Sequence, residues 1–149
     1  MKPLPYLIIA FLCLSCSNKK TSTNKESEVQ HDIVGTWKMI YAEIKKNDSL
    51  EVKNLSKSSF IKIINNSHFS FFNQDELDAR NSYGGAGTYS VKGNQYVETL
   101  IYTSAEAIRN HVFTFTIKIA GDTLIQSGIE EVKKAGIKQE IIEKYIRIN

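Results

Sequence analysis

Two short stretches, Tyr96-Val-Glu98 and Glu143-Lys-Tyr145-Ile-Arg147, hold the residue types in this chain most able to do chemistry. Residues two apart on a strand share a face. Glu98 therefore travels with Tyr96, and Glu143 with Tyr145 and Arg147. Two carboxylates carried into one interior could do general acid–base work. They could equally form a buried polar network satisfied by an arginine and tyrosine hydroxyls, or simply face solvent. Nothing in the spacing singles out a reacting atom, so a network or a solvated face is the expectation and no catalytic residue is assigned.

Other chemistries have little support. His31, His68 and His111 are isolated, and no His-x-His, Glu-x-x-His or Cys-x-x-Cys spacing occurs, so no metal ligands are assigned. Serines abound without a Gly-x-Ser-x-Gly elbow. The cluster Tyr83-Gly84-Gly85-Ala86-Gly87 is not followed by the Gly-Lys-Ser/Thr of a phosphate loop and reads as a bend or bulge entering a strand. The formal net charge is +3 and the lysines are scattered, which argues against a nucleic-acid partner. No cofactor is expected, and the chain reads as a non-enzyme.

The elements that must position these residues are strands. Trp37 follows Gly35 and leads an alternation that places Trp37, Met39 and Tyr41 on one face, with Lys38 and Ala42 on the other and Ile40 as an apolar exception. Lys45 to Lys57 reads as a long connection with a short strand or helical turn at 49–55. Ser59 to Asn65 and His68 to Gln74 form a hairpin about Asn65-Asn66-Ser67, with Phe69 and Phe71 on one face. A second hairpin joins 87–91 to 95–103 through Lys92-Gly93-Asn94. Ser104 to Asn110 reads as one helical turn capped by Ser104, or as a loop. His111 to Ala120 alternates cleanly, with Phe113, Phe115, Ile117 and Ile119 on one side. Strands at 123–132 and 137–149 complete the chain. About eight closely spaced strands with little helix predict an all-β domain, and the short connections favour a single antiparallel up-and-down barrel.

The front of the chain is different. Lys2 precedes an apolar run from Leu7 to Leu14 that is too short to span a membrane, which needs roughly 20 residues. Leu12-Cys13-Leu14-Ser15-Cys16 resembles a bacterial lipoprotein signal, with a small residue before the cysteine that is cleaved and lipidated. That resemblance implies a signal peptide at 1–15, lipid attachment at Cys16 and a membrane partner reached through the lipid. Residues 16–32 are polar and read as a flexible tether. The lipoprotein resemblance implies the cell envelope; some bacterial surface lipoproteins resemble one another in an acidic run after the lipidated cysteine, and its absence here favours the periplasmic side of the outer membrane. Removal of Cys13 and lipidation of Cys16 would leave the 33–149 domain without a disulfide.

Gly35-Thr36-Trp37-Lys38, then Gly87-Thr88-Tyr89, Tyr96-x-Glu98, Gly121-Asp122-Thr123-Leu124 and a closing Tyr145-x-Arg147 resemble the lipocalin-like domains of small Bacteroidetes-type lipoproteins. The resemblance implies a barrel whose first and last strands are neighbours, with Arg147 packed over Trp37 to close one end. A competing role follows from the fatty-acid-binding proteins, which are similar in size and hold a carboxylate with Arg-x-Tyr on the last strand. Here the order is reversed. The candidate barrel interior is Trp37, Met39, Tyr41, Glu98, Phe113, Phe115, Tyr145 and Arg147. Its expected occupant is a small hydrophobic molecule. The alternative is a filled barrel that acts on a protein through its loops. The sequence carries no sign of the oligomeric state.

Overall fold

The structure, a computed structural model, describes residues 32–148. The signal peptide, Cys16 and all but the last residue of the tether lie outside the described residues. Nine strands follow one another: β1 Gly35–Lys46, β2 Ser49–Val52, β3 Ser58–Ile64, β4 His68–Asp75, β5 Tyr83–Lys92, β6 Gln95–Thr103, β7 His111–Ala120, β8 Thr123–Val132 and β9 Ile137–Ile148. All pair antiparallel with their neighbours, and β1 pairs with β9 along most of its length. Eight strands thus close an up-and-down barrel. The remaining strand, β2, is an exposed flap that folds back on Glu43–Lys46 at the end of β1. The connection after β1 therefore forms a strand, one of the two forms expected for it. No helix among the described residues is long and apolar enough to cross a membrane.

The two barrel ends differ. One carries the β2 flap and three single turns, Ala79–Asn81, Glu106–Ile108 and Lys133–Ala135. The turn after β6 forms without a side-chain cap: Ala105 precedes it, and Thr103, not Ser104, accepts the Ala105 N–H at 3.1 Å. The other end is sealed by an apolar layer of Ile33, Trp37, Ile64, Phe69 and Leu124, all at most 2% exposed.

Arg147 locks this sealed end. Trp37 and Arg147 are cross-strand partners, and the guanidinium carbon stands 4.1 Å from the indole ring centre. The guanidinium donates to the Val34 carbonyl at 2.7 Å and to the Asp32 carbonyl at 2.6 Å, while Trp37 Nε1 donates to the Ile33 carbonyl at 2.8 Å. The incoming chain is thereby tied to both β1 and β9. Gly35 makes the arrangement fit. Its φ is +153°, and a Cβ there would stand 2.3 Å from Arg147 Nη1.

β1 corrects one sequence expectation. Its register against β9 slips between Met39 and Tyr41, which makes Ile40 the extra residue of a bulge. The phase flips there. Ala42 and Ile44 face inward, and Tyr41 turns outward to donate to Glu43 at 2.6 Å, with Lys144 over its ring. Tyr41 is not a barrel-interior residue.

Gly35→Ala is expected to lower unfolding stability by about 2 kcal/mol or more, because it adds left-handed strain and displaces the guanidinium. Urea denaturation measures it, and the loss should shrink when Arg147 is already replaced.

Candidate functional site

The site begins on β3. Phe60, Lys62 and Ile64 are its buried positions, so a lysine is carried into the core. Lys62 is 3% exposed and ion-pairs with the buried Glu98 carboxylate from β6. Its ammonium also donates to Gln126 Oε1 at 2.8 Å, which reaches across the lumen to β8. The Phe69 and Tyr96 rings lie 5.5 and 5.0 Å from it and fill the remaining space. Gln126 then donates to Glu143 on β9 at 3.2 Å, and the Tyr145 hydroxyl donates to the same carboxylate at 2.6 Å. One chain of contacts therefore joins β3, β6, β8 and β9 across the barrel. The Tyr96 hydroxyl, buried beside it, has no hydrogen-bond partner of good geometry among the described residues.

Toward the flap end the barrel is hollow. A cavity of about 360 Å³ opens above Lys62 and Glu98, within the range of small-molecule sites. One side is apolar and aromatic, built from Phe60, Phe71, Leu100, Phe113 and Phe115. Phe60 stacks on Phe71 at 5.5 Å, and Phe113 on Phe115 at 6.1 Å. Gly85 makes room for this wall, since a Cβ there would stand 2.7 Å from Leu100 Cδ1 and 2.9 Å from Phe71 Cζ. The opposite side carries most of the polar groups, set among Ile137 and Ile141. β8 contributes Gln126 and Glu130, and β9 contributes Gln139, Glu143 and Tyr145. Glu130 accepts from Gln139 at 2.7 Å. Lys53 stands at the mouth, bonded to Tyr83 at 3.1 Å and Asn73 at 3.3 Å.

This interior is short of positive charge. Burial pushes the Glu143 carboxyl up to about 7; Lys62 and the Tyr145 hydrogen bond oppose the rise, and Glu130 and Glu98 add to it. Burial also raises Glu130. The Tyr96 and Tyr145 hydroxyls are pushed well above the ordinary tyrosine range, by burial first and by Glu98 and Glu143 second. Both phenols stay protonated, and the Tyr145 hydroxyl donates to Glu143. Among the described residues, no three His, Cys, Asp or Glu side chains stand close enough to hold a metal ion.

The sequence candidates divide between the two ends. Met39, Glu98, Phe113, Phe115 and Tyr145 line the cavity. Trp37 and Arg147 do not: they form the sealed end, on the far side of the Lys62 layer. Arg147 therefore does not reach a ligand in this cavity, because its hydrogen bonds go to the incoming chain. Tyr41 points outside. Lys62, Gln126, Glu130 and Gln139 were not singled out by sequence. A usable signal existed for Lys62. The hairpin about Asn65–Ser67 pairs Ile64 with Phe69 and Lys62 with Phe71, so inward phenylalanines carry Lys62 inward with them.

A family model described as a lipocalin-like domain matches residues 33–125, more than half of the chain. The chain belongs to the lipocalin-like domain family, and a barrel of this kind suggests small-molecule binding. The match ends one residue before Gln126, so the polar wall lies past it. A search of curated proteins found no match.

The raised Glu143 carboxyl sets a pH dependence. Glu143 holds its proton more tightly in the folded chain than in the unfolded one, so stability falls as pH rises from 4.5 to about 7. The loss is at most about 3 kcal/mol, and less to the extent that cavity water reaches the carboxylate. Glu130 acts in the same direction. Urea denaturation across this range should give a wild-type curve that falls relative to that of Glu143→Gln, which lacks the titrating group.

Proposed function

We propose that this chain is a non-enzymatic binding module, tethered to a membrane through a lipid on Cys16, that holds a small, largely apolar molecule in the flap end of its barrel. The observation that carries the reading is the hollow end itself. A cavity of about 360 Å³ with a phenylalanine wall is costly to leave filled with water, and an apolar guest removes that cost. The polar groups opposite are bonded chiefly to one another, Lys62 to Gln126, Gln126 to Glu143 and Glu130 to Gln139, so they orient a guest better than they attack one. The hollow interior also favours this reading over a filled barrel working through its loops. The lipid anchor rests on the sequence around Cys16 alone.

Trp37 sits at the sealed end and is a poor reporter of binding. Native mass spectrometry of the chain purified without denaturation is the better test. A mass excess that organic extraction removes is expected. A bare mass, together with no uptake of a neutral apolar dye such as Nile red, would overturn the reading.

A further inference from the structure

The cavity's charge identifies the end of the guest that is buried deepest. Five charged side chains line it: Lys53, Lys62, Glu98, Glu130 and Glu143. Lys62 is already engaged by Glu98 and Gln126. Lys53 is tied to Asn73 on β4 and Tyr83 on β5, diametrically across the barrel from β8 and β9. Among the described residues no cation ion-pairs with Glu130 or Glu143: Lys62 acts on both only from a distance, and their hydrogen-bond partners are neutral, Gln139 for the first, Gln126 and Tyr145 for the second. Glu98 supplies a second, independent sign. Its side chain is 8% exposed and lines the cavity, and its one ion-pair partner among the described residues, Lys62, is shared with Gln126. The interior thus presents acceptor capacity that the protein's own donors do not fill.

We infer that the guest is an amphiphilic cation, an apolar body ending in a protonated amine, with the ammonium seated against Glu143 and Glu130 and the body lying on the phenylalanine wall. This rests on the reading of the barrel as a small-molecule site. An ammonium brings donors and no acceptor, which matches a wall of carboxylate and amide oxygens. It would also supply the positive charge that this side of the interior lacks. A fatty-acid carboxylate would meet two carboxylates there, and Arg147 lies outside the cavity.

The test compares n-decylamine, decanol and decanoate, which share a body and differ in the head, by calorimetric titration of the full chain at about pH 8. The amine is expected to bind about tenfold or more tightly than the alcohol, consistent with one charge-assisted contact, with decanoate weakest. Glu143→Gln should abolish most of the amine's advantage while decanol binding is retained, which also shows the variant to be folded. Equal binding of all three heads, or decanoate binding tightest, would overturn the cationic guest and leave the apolar site standing. No binding by any of the three would remove both.

Discussion

The interior of this barrel depends on one ammonium. Lys62 is the only positively charged side chain held in the middle of the lumen among the described residues, and it touches Glu98 while reaching across to Gln126. Removing two charges from water costs several kcal/mol per ion, and their mutual attraction rarely does more than offset it. A layer of this kind contributes little net stability compared with hydrophobic side chains of similar volume. Its effect is to divide the barrel. On one side the chain packs Trp37, Ile64, Phe69 and Leu124 to closure; on the other it leaves a hollow whose remaining carboxylates must share a cation already in use.

The division separates two roles that one face of β1 and β9 could have combined. Trp37, Gly35 and Arg147 belong to closure: the guanidinium covers the indole, holds the carbonyls of Asp32 and Val34, and needs the glycine to stand where it does. Tyr145 and Glu143, two and four residues before Arg147 on the same strand, belong to the cavity layer. A single strand thus runs from a structural end to a ligand-facing one. The boundary between them is the chain of contacts through Lys62, Gln126 and Glu143.

Most of the strand framework was legible because its signals are local. The alternation of Phe113 to Ile119, the Lys92-Gly93-Asn94 turn and the hairpin about Asn65–Ser67 each fix their element without help from the rest of the fold. The meeting of Trp37 and Arg147 was legible through the resemblance to lipocalin-like domains, and a closed barrel that makes first and last strands neighbours is consistent with it. What escaped depends on phase. The bulge at Ile40 reverses which residues of β1 face inward, and a bulge leaves no mark in an apolar run, so alternation alone puts Tyr41 inside and Ala42 outside. Phe60-Ile61-Lys62-Ile63-Ile64 is apolar on both faces, which hides the lysine unless the hairpin register is carried over from Phe69 and Phe71. Gln126, Glu130 and Gln139 look like solvent positions by residue type. The pairing of β8 with β9, Gln126 opposite Glu143 and Glu130 opposite Gln139, shows them turned toward the lumen together.

The central claim is that the barrel interior holds more carboxylate than Lys62 neutralises. NMR titration of the glutamate side-chain carboxyl carbons in the full, unliganded chain measures this directly. The account predicts one glutamate titrating near pH 7, absent from the spectrum of Glu143→Gln, and a second, Glu130, above the ordinary carboxylate range. Glutamates that all titrate near 4.5, as in unfolded peptide, would contradict it: the polar wall would then be solvated, and the division of the barrel by a single ammonium would not stand.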